Sequence, residues 1–150
     1  MAKLPRANKI RMNDVEFTSK VDRAQYTLKE LQRAALLDTG KLVRKRMVKK
    51  AKQQPGMRRS RRPSGAFQYW VRKIETDLVV GTKHGTWYGS EQELGSNRQP
   101  KRSIIKSTVM ENIDDIRRVQ GQYLSAIENE NKALGLIKPQ EDGTDDTQDY

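Results

Sequence analysis

The chain has 150 residues, of which 34% are hydrophobic and 33% charged, and its mean hydropathy is -0.94. That supports one modest core and excludes two ordinary domains; a core this small gains from burial against a partner subunit. With no cysteine, disulfides and thiolate metal sites are excluded. The net charge of +11 is unevenly spread, at +16 over residues 1–74 and −5 over residues 75–150.

No apolar run approaches the ~18 residues needed to cross a bilayer. The basic start, "MAKLPRANKIRMND", lacks the apolar segment of a secretory signal. A soluble protein made inside the cell, without a membrane partner, is expected. A chain so polar along its length suits either nucleic acid or head-to-tail contact between copies.

Residues 1–20 read as an N-terminal arm, in which 13–18 can supply a short strand. Residues 21–54 carry a helical stripe of Ala24, Leu28, Leu31 and Ala35, continued by Val43, Met47 and Ala51. Asp38, Thr39 and Gly40 interrupt it, so one long helix and two helices with a bend both remain open. Pro55-Gly56 ends it.

"MRRSRRPSG", residues 57–65, has no apolar periodicity and reads as a loop. In "AFQYWVRKI", Phe67, Tyr69 and Val71 alternate with Gln68, Trp70 and Arg72, which predicts a strand. A turn near Glu75, Thr76 and Asp77 leads to "LVVGT" and closes a hairpin.

A second helix is predicted from Ile105, Val109, Ile113, Ile116, Val119, Tyr123 and Ile127, with Ser103 as N-cap and Pro100 ahead of it. Residues 138–150 are acidic, have little to bury and are expected to be disordered. The expected fold is α+β, with two long amphipathic helices packed on a small antiparallel sheet containing a β-hairpin. One such domain spans 21–137.

Between the hairpin and the second helix lies "GTKHGTWYGSEQELGSN", with the only histidine, His84, beside Glu91 and Glu93. One histidine without further ligands does not make a usual zinc site, and neither a nucleophile elbow nor a phosphate loop is present. No enzymatic activity and no cofactor are expected. Arg58, Arg59, Arg61 and Arg62 form the best candidate for a DNA or protein contact. Phe67, Tyr69 and Trp70 follow them as in single-strand binders, although alternating aromatics more often serve a sheet. No helix-turn-helix, zinc finger or RNA-binding signature accompanies them.

Taken in order, "VKKAKQQ", an arginine-rich loop with "PSG", "LVVGTK", "WYGSEQELGS", "QPKRSI" and "NIDDIRRVQGQYLSAI" resemble the neck or tail-completion proteins of long-tailed bacteriophages. That family commonly reads "tG-Lr-sI", "vG", "Y…E-G" and then a proline-led final helix. Gly65, Gly81, Tyr88, Glu93, Gly95 and Pro100 fall on those positions, over residues 20 to 130. "PSGAF" departs from the usual "tG-Lr".

The resemblance implies a structural virion protein at the head–tail junction, made in the host cytoplasm and forming a ring, sixfold by analogy with the tail. Its implied partners are further copies of itself, a head-closure or connector protein, a tail-terminator or tail-tube protein, and non-specific DNA in the channel. Trp87, Tyr88, Glu93, Leu94 and Gly95 then serve subunit or partner contact. The competing expectation is a small basic nucleic-acid-binding protein acting through residues 41–72.

Overall fold

A computed structural model describes residues 5–55, 65–72, 74, 76–98 and 100–137, the side chains of Trp87 and Tyr88 apart. The fold is α+β. Arg58, Arg59, Arg61, Arg62, Glu75 and the acidic segment 138–150 lie outside the described residues.

The N-terminal arm contains an antiparallel hairpin, β1 (Asn8–Met12) and β2 (Val15–Ser19). Asn13 and Asp14 join the strands with φ of 45° and 63°. Two left-handed residues in a two-residue loop match the right-handed strand twist, and Asn and Asp tolerate that conformation. Ile10 pairs with Phe17 and Met12 with Val15, so all four share one face. On the other face Glu16 accepts ion pairs from Lys9 at 3.3 Å and Arg11 at 3.2 Å.

Helix α1 runs unbroken over Val21–Lys52, about 48 Å at 1.5 Å per residue. Asp22 in its first turn and Lys49, Lys50 and Lys52 in its last suit the helix dipole. The interruption at Asp38-Thr39-Gly40 is a packing feature. Gly40 is buried under the Tyr69 ring, and a Cβ there would lie 2.3 Å from Tyr69 Cδ2. Glycine gives up helix propensity at this point to admit an aromatic ring against the backbone.

The chain divides into two compact units, Ala35–Gln122 and a second made of Met1–Ala34 with Tyr123–Tyr150; α1 contributes to both. In the first, Val43, Met47 and Ala51 of α1 pack with Ala66, Phe67 and Ile104, and Val48, Val80, Ile105, Val109 and Ile116 close around them. Strands β3 (Phe67–Val71) and β4 (Leu78–Thr82) pair as expected, Phe67 opposite Thr82 and Val71 opposite Leu78. Arg44 Nε donates to the Phe67 carbonyl at 2.9 Å, which ties the strand to the helix. Arg72 and Asp77 form an ion pair across the hairpin end, where Thr76 has φ of 50°.

In the second unit Thr27, Leu31, Tyr123, Ala126 and Ala133 are buried, and Arg23 pairs with Glu130. The buried stripe of α1 there passes through Thr27 rather than Leu28 or Ala24, which are exposed. A shallow groove of about 280 Å³ lies along it, lined by Ala24, Leu28, Leu31, Ile127 and Ala133 and edged by Lys20 and Glu128.

The expected second helix is divided. Before it comes α2 (Trp87–Leu94), in a stretch to which the sequence assigned no regular element. The helix itself appears as α3 (Ile104–Glu111), α4 (Ile113–Leu124) and α5 (Glu130–Leu136). The first break is a kink at Asn112. Its side-chain amide donates to the Thr108 carbonyl at 2.7 Å, and its backbone N–H is shared between the Thr108 and Val109 carbonyls at 3.2 Å. The second break precedes Asn129, whose Oδ1 accepts from the Asn131 and Lys132 N–H groups at 3.0 and 3.2 Å and starts α5.

Gly40→Ala should lower stability by about 1–3 kcal/mol in urea denaturation, because overpacking against the ring outweighs the gain in helix propensity. In a Tyr69→Ala background the same change should stabilise, by roughly 0.5–1 kcal/mol. The same sign in both backgrounds would remove the ring as the cause.

Candidate interaction site

The segment after β4 builds a clasp between two helices. Lys83 O accepts from Thr86 N at 3.2 Å and from the Thr86 hydroxyl, and Gly85 turns the chain with φ of 78°. Helix α2 follows directly. Its Gly89 is buried so closely against β4 that an added Cβ would sit 3.0 Å from Thr82 Cγ2.

Gly95 ends α2 with φ of 81° and ψ of 161°, and its N–H donates to Glu91 O at 2.8 Å. Only glycine occupies that region without strain. A Cβ would also meet Lys101 N at 2.9 Å. One residue after the close approach, Arg102 N donates to Gln92 O at 2.9 Å and locks the returning chain.

The cap expected of Ser103 belongs to Glu93. Ser103 stands at the N-cap position of α3 with φ of 47° and makes no side-chain cap bond. Instead the Glu93 carboxylate reaches from α2, Oε2 accepting from Ile105 N at 2.8 Å and Oε1 from Lys106 N at 3.4 Å. A carboxylate there satisfies orphan N–H groups and complements the positive end of the helix.

Of the five residues singled out for partner contact, Glu93 and Gly95 thus serve this internal clasp. Leu94 projects outward, 72% exposed. Trp87 and Tyr88 lie on α2, and their side chains are outside the described residues. His84 is exposed at the turn beside an open depression bounded by Gln68, Trp70, Lys83 and Ser90. Among the described residues no three His, Cys, Asp or Glu side chains gather in a way that could hold a metal.

Searches against protein-family models, curated proteins and solved structures find no match for this chain. Its own surface therefore carries the functional argument. One outward-facing apolar face among the described residues was missed by the sequence reading. Ile10, Met12, Val15 and Phe17 lie together on one face of the N-terminal hairpin, each more than half exposed. The signal was present as alternation on either side of Asn13-Asp14.

Glu93→Ala should cost about 1 kcal/mol in urea denaturation, and Ser103→Ala should stay within about 0.5 kcal/mol of the parent. Gly95→Ala should cost more than either, about 1–3 kcal/mol. A larger loss from Ser103→Ala than from Glu93→Ala would show that the cap is assigned to the wrong residue.

Proposed function

We propose that this chain is a structural protein of a tailed-phage neck, a ring-forming adaptor that joins the head connector to the tail. The reading rests on the resemblance of residues 20 to 130 to the neck and tail-completion family. The observation that carries self-assembly is the uncovered apolar face of the N-terminal hairpin. Ile10 is 54% exposed, Met12 71%, Val15 68% and Phe17 61%. An isolated two-stranded hairpin is marginal in water, so a partner covering this face stabilises both the hairpin and the contact.

The partner we infer is a second copy. The same compact unit exposes Leu28 and Ile127 along its apolar groove. Hairpin and groove are different surfaces supplied in equal number by every copy. A contact between them is heterologous, and such contacts form a ring where the rotation from copy to copy closes and an open filament where it does not. The Glu93–Gly95 clasp supports the reading differently: it keeps the α2–α3 corner rigid while Leu94 faces outward for a connector or tail protein.

Light scattering on the full chain at tens of micromolar should give a closed oligomer for the parent. Phe17→Asp and, separately, Leu28→Asp should each shift it towards monomer, with the melting temperature of the monomeric form within a few degrees of that of the parent at matched dilution. A monomeric parent, or oligomers unaffected by both changes, would contradict self-docking through this face.

A further inference from the structure

From residue 40 to residue 74 the sequence holds thirteen Lys and Arg and no Asp or Glu. The fold sorts the described members of this run. Arg46 turns to Asp115 at 3.1 Å and Lys50 to Glu111 at 2.5 Å. Arg44 bonds the Phe67 carbonyl, and Arg72 pairs with Asp77. These four serve the fold.

The remainder on α1 do not. Lys45, Lys49 and Lys52 are exposed and make no ion pair among the described residues. Lys41 continues their line, with Asp38 at 3.8 Å and its side chain 62% exposed. At 100° per residue, positions 41, 45, 49 and 52 fall within an arc of about 80°, on the side away from Val43, Met47 and Ala51. The four ammonium groups thus make a straight strip about 16 Å long, the span of about five base pairs at 3.4 Å each.

We propose that Lys41, Lys45, Lys49 and Lys52 form a docking strip for the phosphate backbone of duplex DNA, without sequence preference. Three observations select that partner. No large exposed hydrophobic residue lies on α1 between 41 and 52, which a lipid surface would need. One aromatic borders the strip: Tyr69 shares a depression with Lys41, Arg44, Lys45 and Val48. Its half-buried ring packs on Gly40, however, and Trp70 points to the opposite side of the strand, so successive bases of a single strand find no row of rings to stack on. The strip is also built from lysine alone, separate point charges suited to a row of phosphates rather than to bidentate recognition of protein carboxylates. This narrows the nucleic-acid contact expected of residues 41–72 to one face of one helix, and it stands without the neck reading.

The test is anisotropy of a labelled 20-base-pair duplex titrated with the full chain across a salt series. The parent should bind with a log–log salt slope that the strip makes steeper by about 0.9 per phosphate contacted. Lys45→Gln, Lys49→Gln and Lys52→Gln combined should flatten that slope by about 2.7 and weaken binding about tenfold or more, with an unchanged melting temperature. Lys→Arg at the same three positions should restore binding, and a duplex of scrambled sequence should bind equally.

The proposal is overturned by an unchanged slope in the triple Gln variant. It is equally overturned if Arg58→Ser, Arg59→Ser, Arg61→Ser and Arg62→Ser together remove all binding while the lysine variant keeps it. Competition by poly-glutamate as effective as that by DNA at equal charge would assign the strip to an acidic protein instead. The size of the slope change scales with the number of strips that meet one duplex, but its sign does not depend on the oligomeric state, so the ring reading can fail without deciding this one.

Discussion

The close approach of α1 to β3 at Gly40 is the constraint on which residues 35–122 depend. With no side chain at that position, the Tyr69 ring lies against the helix backbone, and Phe67, two residues earlier on the same strand face, reaches Val43 and Met47. Arg44 holds the strand from the other side through the Phe67 carbonyl. With the strand fixed, Ile104 at the start of α3 completes the core, and Glu93 can hold α3 only because α2 follows directly from β4. A core built from so few large side chains leaves little tolerance for a gap or an overlap.

That economy also shapes the surface. Between residues 41 and 52, one side of α1 is consumed by burial and by the ion pairs of Arg46 and Lys50, which leaves lysines on the opposite side, with Asp38 at the end of the row beside Lys41. The hairpin Asn8–Ser19 takes no part in the core of residues 35–122 and keeps its apolar face outward. In the proposed neck the two surfaces have separate tasks. Apolar contact, which is insensitive to salt, joins copies; the lysine strip attracts a polyanion through forces that salt screens within about 8 Å under physiological conditions.

Much of the fold was legible because it follows from periodicity. The buried positions Leu31, Val43, Met47 and Ala51 were visible at helical spacing, and the strand ending in "LVVGT" had the boundaries expected of it. Other features depend on contacts that no periodicity encodes. Gly40 looks like a helix breaker until the ring beside it is known. Glu93 caps a helix twelve residues away, whereas Ser103, which stands at the start of that helix, takes a left-handed conformation and does not cap. Ile104, fully buried, was passed over for its neighbour Ile105, because it stands five residues before Val109 and so falls out of phase with a stripe of spacings three and four. The candidate site was legible as a place where glycines permit a tight corner, but the outward apolar face lay elsewhere, in a hairpin whose Asn-Asp turn is a weaker signal than Asn-Gly.

The central claim is that copies of this chain bury the hairpin face against one another. Amide hydrogen exchange followed over a range of protein concentrations tests it most directly, since it reads the hairpin separately from the core. Protection of residues 8–19 and of the groove residues 24–31 should rise together as the protein assembles, while residues 43–51 of α1 stay equally protected throughout. Hairpin amides that exchange at the same rate in dilute and in concentrated protein would contradict the account.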